Sequence, residues 1–209
     1  MKISYAITVC NEFLEIQRLL RFIIKNKRRQ DEIVVLVDMS KNTATSELLG
    51  FLHKLSSNNN IILLEQPHNG DFSRFKNLLN NSCNGDYIFQ IDADEIPHIN
   101  LIENLPELLE ANPTIDMLRV PRVNTVEGLT EEHIQKWGWN VNEKGWVNWP
   151  DWQMRIYRNS PDIKWINKVH EVITGHKIAG MLPLEEEWAL YHPKDIQKQE
   201  KQNAYYETL

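Results

Sequence analysis

The sequence holds only two cysteines, Cys10 and Cys83, and their spacing suits neither a metal knuckle nor a disulfide framework. That usage fits a reducing compartment, the cytoplasm. Long apolar runs are missing too. Residues 1–10 are apolar but meet Asn11 and Glu12 at once, so neither a signal-peptide core with its cleavage site nor a membrane span is expected there. A basic excess is also lacking. With 23 Lys and Arg against 29 Asp and Glu the net charge is -6, so a general phosphate-backbone binder is excluded and no nucleic-acid partner is expected. Internal repeats, low-complexity tracts and obvious linkers are absent.

What the chain does have is enough apolar material for one core: 209 residues, 42% of them hydrophobic and 25% charged. Its first half alternates short apolar runs with amphipathic stretches, the pattern of strands joined by helices into a mostly parallel sheet. Strands are expected at 3–9, 32–37, 61–64 and 87–91. Between them, helices are expected behind Asn11–Glu12 (with Phe13, Ile16, Leu19, Leu20 and Ile23 at helical spacing), at 43–55 and at 73–79. A helix near 101–110 and a strand at 117–123 follow. Five tryptophans, Trp137, Trp139, Trp146, Trp149 and Trp152, then crowd a segment with Gly138, Gly145 and Pro150, which reads as a loop-rich wall. Extended stretches are expected at 153–158 and 168–174, and a polar helix at 194–206 with Ile196 and Tyr205 as anchors. The basic run Lys25, Lys27, Arg28 and Arg29 offers peripheral contact with an anionic membrane face, although its place at a helix end makes dipole complementation and solvation the better account.

In a parallel sheet the carboxyl ends of the strands share one edge, where ligands bind. Three polar sites therefore converge: the loop at 8–12, the loop at 38–42 and the turn at 92–95. Along a strand, Asp92 and Asp94 point to one face, and two hard oxygen ligands at a buried strand's end suit a divalent cation that keeps positions open for phosphate oxygens. Glu95, on the opposite face, is expected to brace the turn. Asp38 can accept from a base N–H or a ribose hydroxyl, or cap an ordinary turn with Ser40, Lys41 and Asn42. Thr8 and Glu12 stand likewise. Arg74 and Lys76 place cations on the helix before the acidic strand, toward a diphosphate or toward solvent.

The order Thr8-Val9-Cys10-Asn11-Glu12, Val35-Leu36-Val37-Asp38, Gly70-Asp71-Phe72-Ser73 with Lys76-Asn77, and Gln90-Ile91-Asp92-Ala93-Asp94-Glu95 resembles the family 2 glycosyltransferases of the GT-A fold. Downstream, Gln153-Met154-Arg155-Ile156-Tyr157-Arg158 and Lys168-Val169-His170-Glu171 resemble the branch with lipopolysaccharide core glucosyltransferases and phage or viral homologues. The resemblance implies a single GT-A α/β domain over 1–209: a mostly parallel sheet flanked by helices, a nucleotide-sugar half at 1–98, and an acceptor half at 99–209 with a small antiparallel region. It implies a nucleotide-sugar donor, usually a UDP-sugar, and Mn²⁺ or Mg²⁺ at the Asp-x-Asp. The acceptor would be a hydroxyl of a glycan or lipid-linked glycan, at the inner face of a membrane in the latter case.

By the same match Thr8, Asn11, Glu12 and Asp38 serve the nucleoside, Asp92 serves the ribose or the metal, and Asp94 is a direct metal ligand. Two departures stand out: Met39 follows Asp38 where the family commonly has a second acid, and Lys76 stands where it has arginine. A lysine gives a point charge without the bidentate fork, and Arg74 can substitute. Members of the family invert the anomeric centre, which takes one general base. Glu171 is the first choice and Asp151 the second; Glu171 can instead be a structural carboxylate paired with Arg155 or Arg158. His192 either completes the metal shell or ends a strand, while His170 is better placed as a partner in the acceptor pocket. Trp146, Trp149 and Trp152 are the candidates for stacking on sugar; core packing is the alternative for each. Two other functions fit parts of the pattern: a catalytically silent sugar-binding module, and a sugar-phosphate nucleotidyltransferase, against which the absence of a glycine-rich basic loop after the first strand counts.

Overall fold

In the computed structural model the described residues are 1–40 and 43–206, without the side chains of 202 and 204–206. The expected turn roles of Lys41 and Asn42 and the anchor role of Tyr205 lie outside the described residues. In chain order the elements are β1 (Ile3–Val9), α1 (Phe13–Asn26), β2 (Glu32–Asp38), α2 (Ser46–Asn59), β3 (Ile62–Gln66), α3 (Phe72–Asn80), β4 (Tyr87–Asp92), β5 (Ile96–Pro97) and α4 (Ile99–Ala111). They continue with β6 (Met117–Val120), β7 (Arg122–Glu127), α5 (Glu131–Trp137), β8 (Gln153–Arg158), β9 (Lys164–Ile166), β10 (Val172–Thr174), β11 (Ala179–Met181), a 3₁₀ turn at Glu186–Trp188, β12 (Leu190–Asp195) and α6 (Ile196–Tyr206).

Among the described residues the main sheet has seven strands in the order β11-β6-β8-β4-β1-β2-β3. β1, β2, β3 and β4 are parallel, and β8 runs antiparallel between β4 and β6. Both faces of β1, β2 and β4 are covered, as their unbroken apolar runs require. One face, with Tyr5, Ile7, Ile33, Val35 and Phe89, packs on Ile16, Leu20 and Ile23 of α1 and on Leu101 and Leu105 of α4. The other, with Ala6, Val34, Leu36 and Ile88, packs on Phe75 and Leu79 of α3 and on Trp165 and Ile173. A second sheet, β5-β12-β7, stands beside the acidic turn. It is mixed, with β12 antiparallel to β5 and parallel to β7.

Three expectations are corrected. The strand at 117–123 breaks at Pro121, which cannot donate to a ladder, so β6 stays in the main sheet and β7 moves to the second one. The stretch 168–174 is not one strand. Asn167 and His170 sit at φ 73° and 54°, in the left-handed region, and the chain instead forms the hairpin β9–β10 with Glu171 on its loop. Glu171 therefore does not share a strand face with Val169 and Ile173, as positions two apart in one strand would. Third, β4 ends at Asp92, so the turn at 93–94, and not the strand pleat, delivers Asp94.

Half of the basic run is tied down: Lys27 Nζ donates to the Asp31 carbonyl at 2.7 Å, and Arg28 bonds Asp31 and the Met1 carbonyl, while Lys25 and Arg29 are exposed. Lys25 lies in the last turn of α1, where a cation complements the dipole. Among the described residues no helix is long and apolar enough to cross a membrane.

Candidate active site

A cavity of about 900 Å³ opens at the carboxyl ends of β1, β2 and β4 and is walled on the far side by the loop before β10. Thr8, Glu12, Asp38, Lys76, Asp92, Asp94, Trp152, His170, Glu171 and His192 all line it, gathered from positions up to 184 residues apart. A smaller cavity of about 220 Å³ adjoins it, sharing Arg122, His192 and Lys194, and is walled by Asn124, Trp139, Asn148, Asp151 and Gln199.

On the β1–β2 side the acids are held mainly by short-range donors. Glu12 Oε2 accepts from the backbone N–H of Cys10 (2.8 Å) and Asn11 (3.1 Å), which folds the loop over the start of α1. Asp38 Oδ1 accepts from Ser40 N (2.8 Å), Ser40 Oγ (2.5 Å) and His68 N (2.9 Å). Burial opposes ionisation of Asp38, but these hydrogen bonds hold its carboxyl below the ordinary range. Burial pushes the nearby Cys10 thiol up to about 12, helped by Glu12 and Asp38, so it is no nucleophile at neutral pH.

Lys76 is buried on α3. Its Nζ lies 2.6 Å from Glu171 Oε1 and 4.5 Å from the Trp165 ring centroid. The neighbouring Asn77 clamps the hairpin in place, donating to the Trp165 carbonyl (2.8 Å) and accepting from Trp165 N (2.9 Å). Glu171 thus pairs with Lys76, and not with Arg155 or Arg158.

The Asp-x-Asp carboxylates have different surroundings. Asp92 Oδ1 accepts from Gln90 Nε2 (2.8 Å) and Thr8 Oγ1 (3.1 Å), and Oδ2 from Arg155 Nη2 (2.5 Å). Burial alone would raise its carboxyl, but Arg155 and Lys76 hold it well below the usual value. Asp94 Oδ2 faces His192 Nε2 at 3.4 Å and Lys198 Nζ at 3.2 Å. There too burial is outweighed, here by a hydrogen bond from His192 and the charges of His192 and Lys198, and the carboxyl stays far below its ordinary range.

Behind them lies a buried network that the sequence did not announce. Glu95, fully buried, accepts from Asp92 N (3.1 Å), Arg155 Nη2 (2.6 Å) and Arg122 Nη1 (2.9 Å). It braces the turn as expected and also ties β8 and β7 to it. Arg155 donates as well to Gln90 Oε1. Arg122 continues to Asp151 through Nε (2.8 Å) and Nη2 (2.7 Å), and Asp151 also accepts from Asn124 Nδ2 (2.7 Å) and Gln153 Nε2 (2.9 Å). Burial of Asp151 is outweighed by Arg122 and these hydrogen bonds, so its carboxyl sits below the usual range.

Four expected residues are not brought to the cavity. Arg74 is exposed and does not line it, although Phe72, Phe75 and Lys76 of the same helix do, leaving Lys76 as the buried cation. Asn11 is exposed beside the loop. Trp146 and Trp149 pack on each other, with ring centroids 4.9 Å apart, and line neither cavity. Trp152 does line the large one. The tryptophan that sequence reasoning passed over is Trp139, which lines the small cavity with its ring centroid 4.6 Å from that of Trp137. Only the general tryptophan crowding pointed to it.

As a metal centre the cleft is open. Among the described residues no three His, Cys, Asp or Glu side chains gather into a cage. The cleft offers one carboxylate, Asp94, beside one imidazole, His192, a donor pair that fits Mn²⁺ better than Mg²⁺ and leaves other positions to phosphate oxygens and water. Asp92 is a weaker donor because both its oxygens already accept.

The sequence profile of glycosyl transferase family 2 matches residues 4–178, which hold the cleft's strands, the Asp-x-Asp turn and the Glu171 loop. The chain belongs to glycosyl transferase family 2. Among curated protein sequences none matches this family 2 member. Among solved structures it is similar to S. aureus TarS 1-349 in complex with UDP-GlcNAc, at 15% identity and a TM-score of 0.66 over 93% of this chain and 59% of that one. It is similar also to S. aureus TarS 1-349 in complex with UDP (14%, TM-score 0.61, 92% and 60%) and to the longer S. aureus TarS (14%, TM-score 0.63, 92% and 37%). At such identity the likeness carries the fold, the GT-A arrangement of one α/β domain. The family 2 chain spans about 60% of the TarS 1-349 length.

Proposed function

We propose that the chain is a metal-dependent, inverting glycosyltransferase that moves a hexose from a nucleotide-diphosphate sugar, a UDP-sugar, to a hydroxyl of a glycan or lipid-linked glycan. The observation that carries this reading is the joining, in one cavity at the carboxyl edge of a parallel sheet, of Asp38, Lys76, the Asp92–Asp94 turn, His192 and Glu171. The family and the TarS complexes with UDP and UDP-GlcNAc support it.

In this reading Thr8 and Asp38 border the nucleoside and Lys76 faces the diphosphate. Asp94 and His192 would hold the ion, which when bound neutralises charge on the diphosphate as a Lewis acid. The acceptor sits in the smaller cavity against Trp139 and reaches into the larger one, whose wall holds Trp152, His170 and Glu171. Its hydroxyl oxygen attacks the anomeric carbon and gives its proton to Glu171. The sugar–phosphate bond breaks, and the nucleoside diphosphate leaves with the electron pair. Glu171 is favoured over Asp151 by hydrogen-bond accounting. Asp151 already accepts four contacts and is held acidic, whereas among the described residues the contact on Glu171 comes from Lys76, which the diphosphate draws away. We place the reaction in the cytoplasm, at the inner membrane face when the acceptor is lipid-linked.

Incubation with UDP-sugars and Mn²⁺ should release UDP, and Asp94→Ala should cut that release on the order of a hundredfold or more. Sugar binding without UDP release, indifferent to Mn²⁺ and to Asp94→Ala, would make the protein a silent sugar-binding module instead.

A further inference from the structure

The hydrogen bonds behind His192 have only one consistent direction. Asp151 is ionised and can only accept, so the group of Asn124 that lies 2.7 Å from Asp151 Oδ2 is its amide nitrogen. That places the Asn124 oxygen toward His192, 2.8 Å from Nδ1. An amide oxygen can only accept, so Nδ1 must carry a proton. The remaining ring nitrogen, Nε2, is the one beside Asp94. In the metal-free protein Nε2 faces Asp94; a cation that displaces the Nε2 proton meets a lone pair beside the Asp94 carboxylate while Nδ1 stays protonated, which is the tautomer it needs.

We propose that Asp151 and Asn124 are positioning residues for the divalent cation: Asp151 orients the Asn124 amide, and Asn124 fixes the His192 tautomer that ligates through Nε2. The assignment rests on the metal-dependent reading above and gives Asp151 a task other than that of general base. It also accounts for the four contacts that hold Asp151, two of them from Arg122, which is itself anchored on the buried Glu95. A carboxylate so restrained is a poor proton acceptor and a rigid reference point. Through Arg122, Glu95 and Arg155 the same network reaches Asp92, so both ends of the Asp-x-Asp turn are referenced to one buried frame.

The test is Mn²⁺ affinity of the full chain without any donor sugar, read by the electron paramagnetic signal of the free ion. Asn124→Leu removes the acceptor at Nδ1 and should weaken Mn²⁺ binding about 10- to 100-fold. The exchange Asn124→Asp with Asp151→Asn reverses the middle hydrogen bond but keeps an acceptor on Nδ1, and should return the affinity to within a few-fold of wild type. In the protein loaded with Zn²⁺ as a diamagnetic probe, the ¹⁵N spectrum should show His192 protonated on Nδ1 and metal-bound through Nε2. Should Asn124→Leu not fold, Asn124→Ala removes the same acceptor and reads the same affinity. Wild-type affinity in the Asn124 variants, an exchange variant that folds but stays weak, or a proton on Nε2 in the Zn²⁺ form would each overturn the assignment. A wild-type chain that binds neither ion would instead overturn the metal-dependent reading on which it rests.

Discussion

The two sides of the cleft are built by different means. On the β1–β2 side the acids are held mostly by their own loops: Glu12 by the backbone N–H groups of Cys10 and Asn11, Asp38 chiefly by Ser40. Around Asp92, Asp94 and His192 most partners are remote in sequence, Gln90 and Glu95 being the local ones. Arg155 reaches back 63 residues to Asp92 and 60 to Glu95, and Arg122 reaches Asp151 across 29. Short-range restraint makes a wall that survives the loss of one contact. A long-range frame is all or nothing, because each buried charge is tolerated only while its partners are in place.

The largest effect should come from breaking that frame. Arg155→Leu leaves Asp92 and Glu95 as uncompensated buried carboxylates and should cost about 3–5 kcal/mol, read as a fall in the urea midpoint. A loss below about 1 kcal/mol would remove the contrast between the two sides. Next, Glu171→Gln should cut turnover on the order of a hundredfold while leaving donor affinity within a few-fold of wild type. Unchanged turnover would return the base to Asp151 and undo the frame's purely positional role. Smaller still, Trp139→Ala should raise the acceptor KM about tenfold, with UDP release from the donor alone unaffected.

The smallest expected effect tests the seam far from the cleft, where Glu32 accepts from Lys2, Ser4 and Asn84 N. Burial opposes ionisation there, but these hydrogen bonds leave its pKa lowered on folding. The stability it contributes is therefore present above the unfolded value, about 4.3, and is lost as pH falls through the folded one. Glu32→Gln should melt a few degrees lower at pH 7, a gap that narrows below about pH 4. A gap that is constant with pH would show that packing, and not charge, is lost.

The same contrast explains what could be read in advance. The parallel half was legible because its signals are local: the apolar runs of β1, β2 and β4, the helical spacing of Ile16, Leu19, Leu20 and Ile23, and acids placed just past strand ends. Asp38, Lys76, Asp92, Asp94, Glu171 and His192 do meet in one cavity. The rest hangs on partners that no local pattern records. Arg122 and Arg155 look like ordinary strand cations until Glu95 is seen buried between them, and the left-handed residues Asn167 and His170 turn an apparent strand into the loop that carries Glu171. Tryptophan crowding marked a wall, but which ring faces a cavity depends on the partner it stacks against: Trp137 behind Trp139, and Trp146 against Trp149.

β8 enters the sheet from late in the chain and lies antiparallel against β4, closing a gap that the parallel strands leave at their edge. Until residues 153–158 have docked, the edge of β4 lies open and Asp92 and Glu95 lack the guanidinium that balances them. The chain therefore cannot assemble a working half-site as it is made. Under the proposed function, nucleotide binding would report that β8 has docked, and a polypeptide cut short before β8 should be mute toward the donor while still holding much of its helix content.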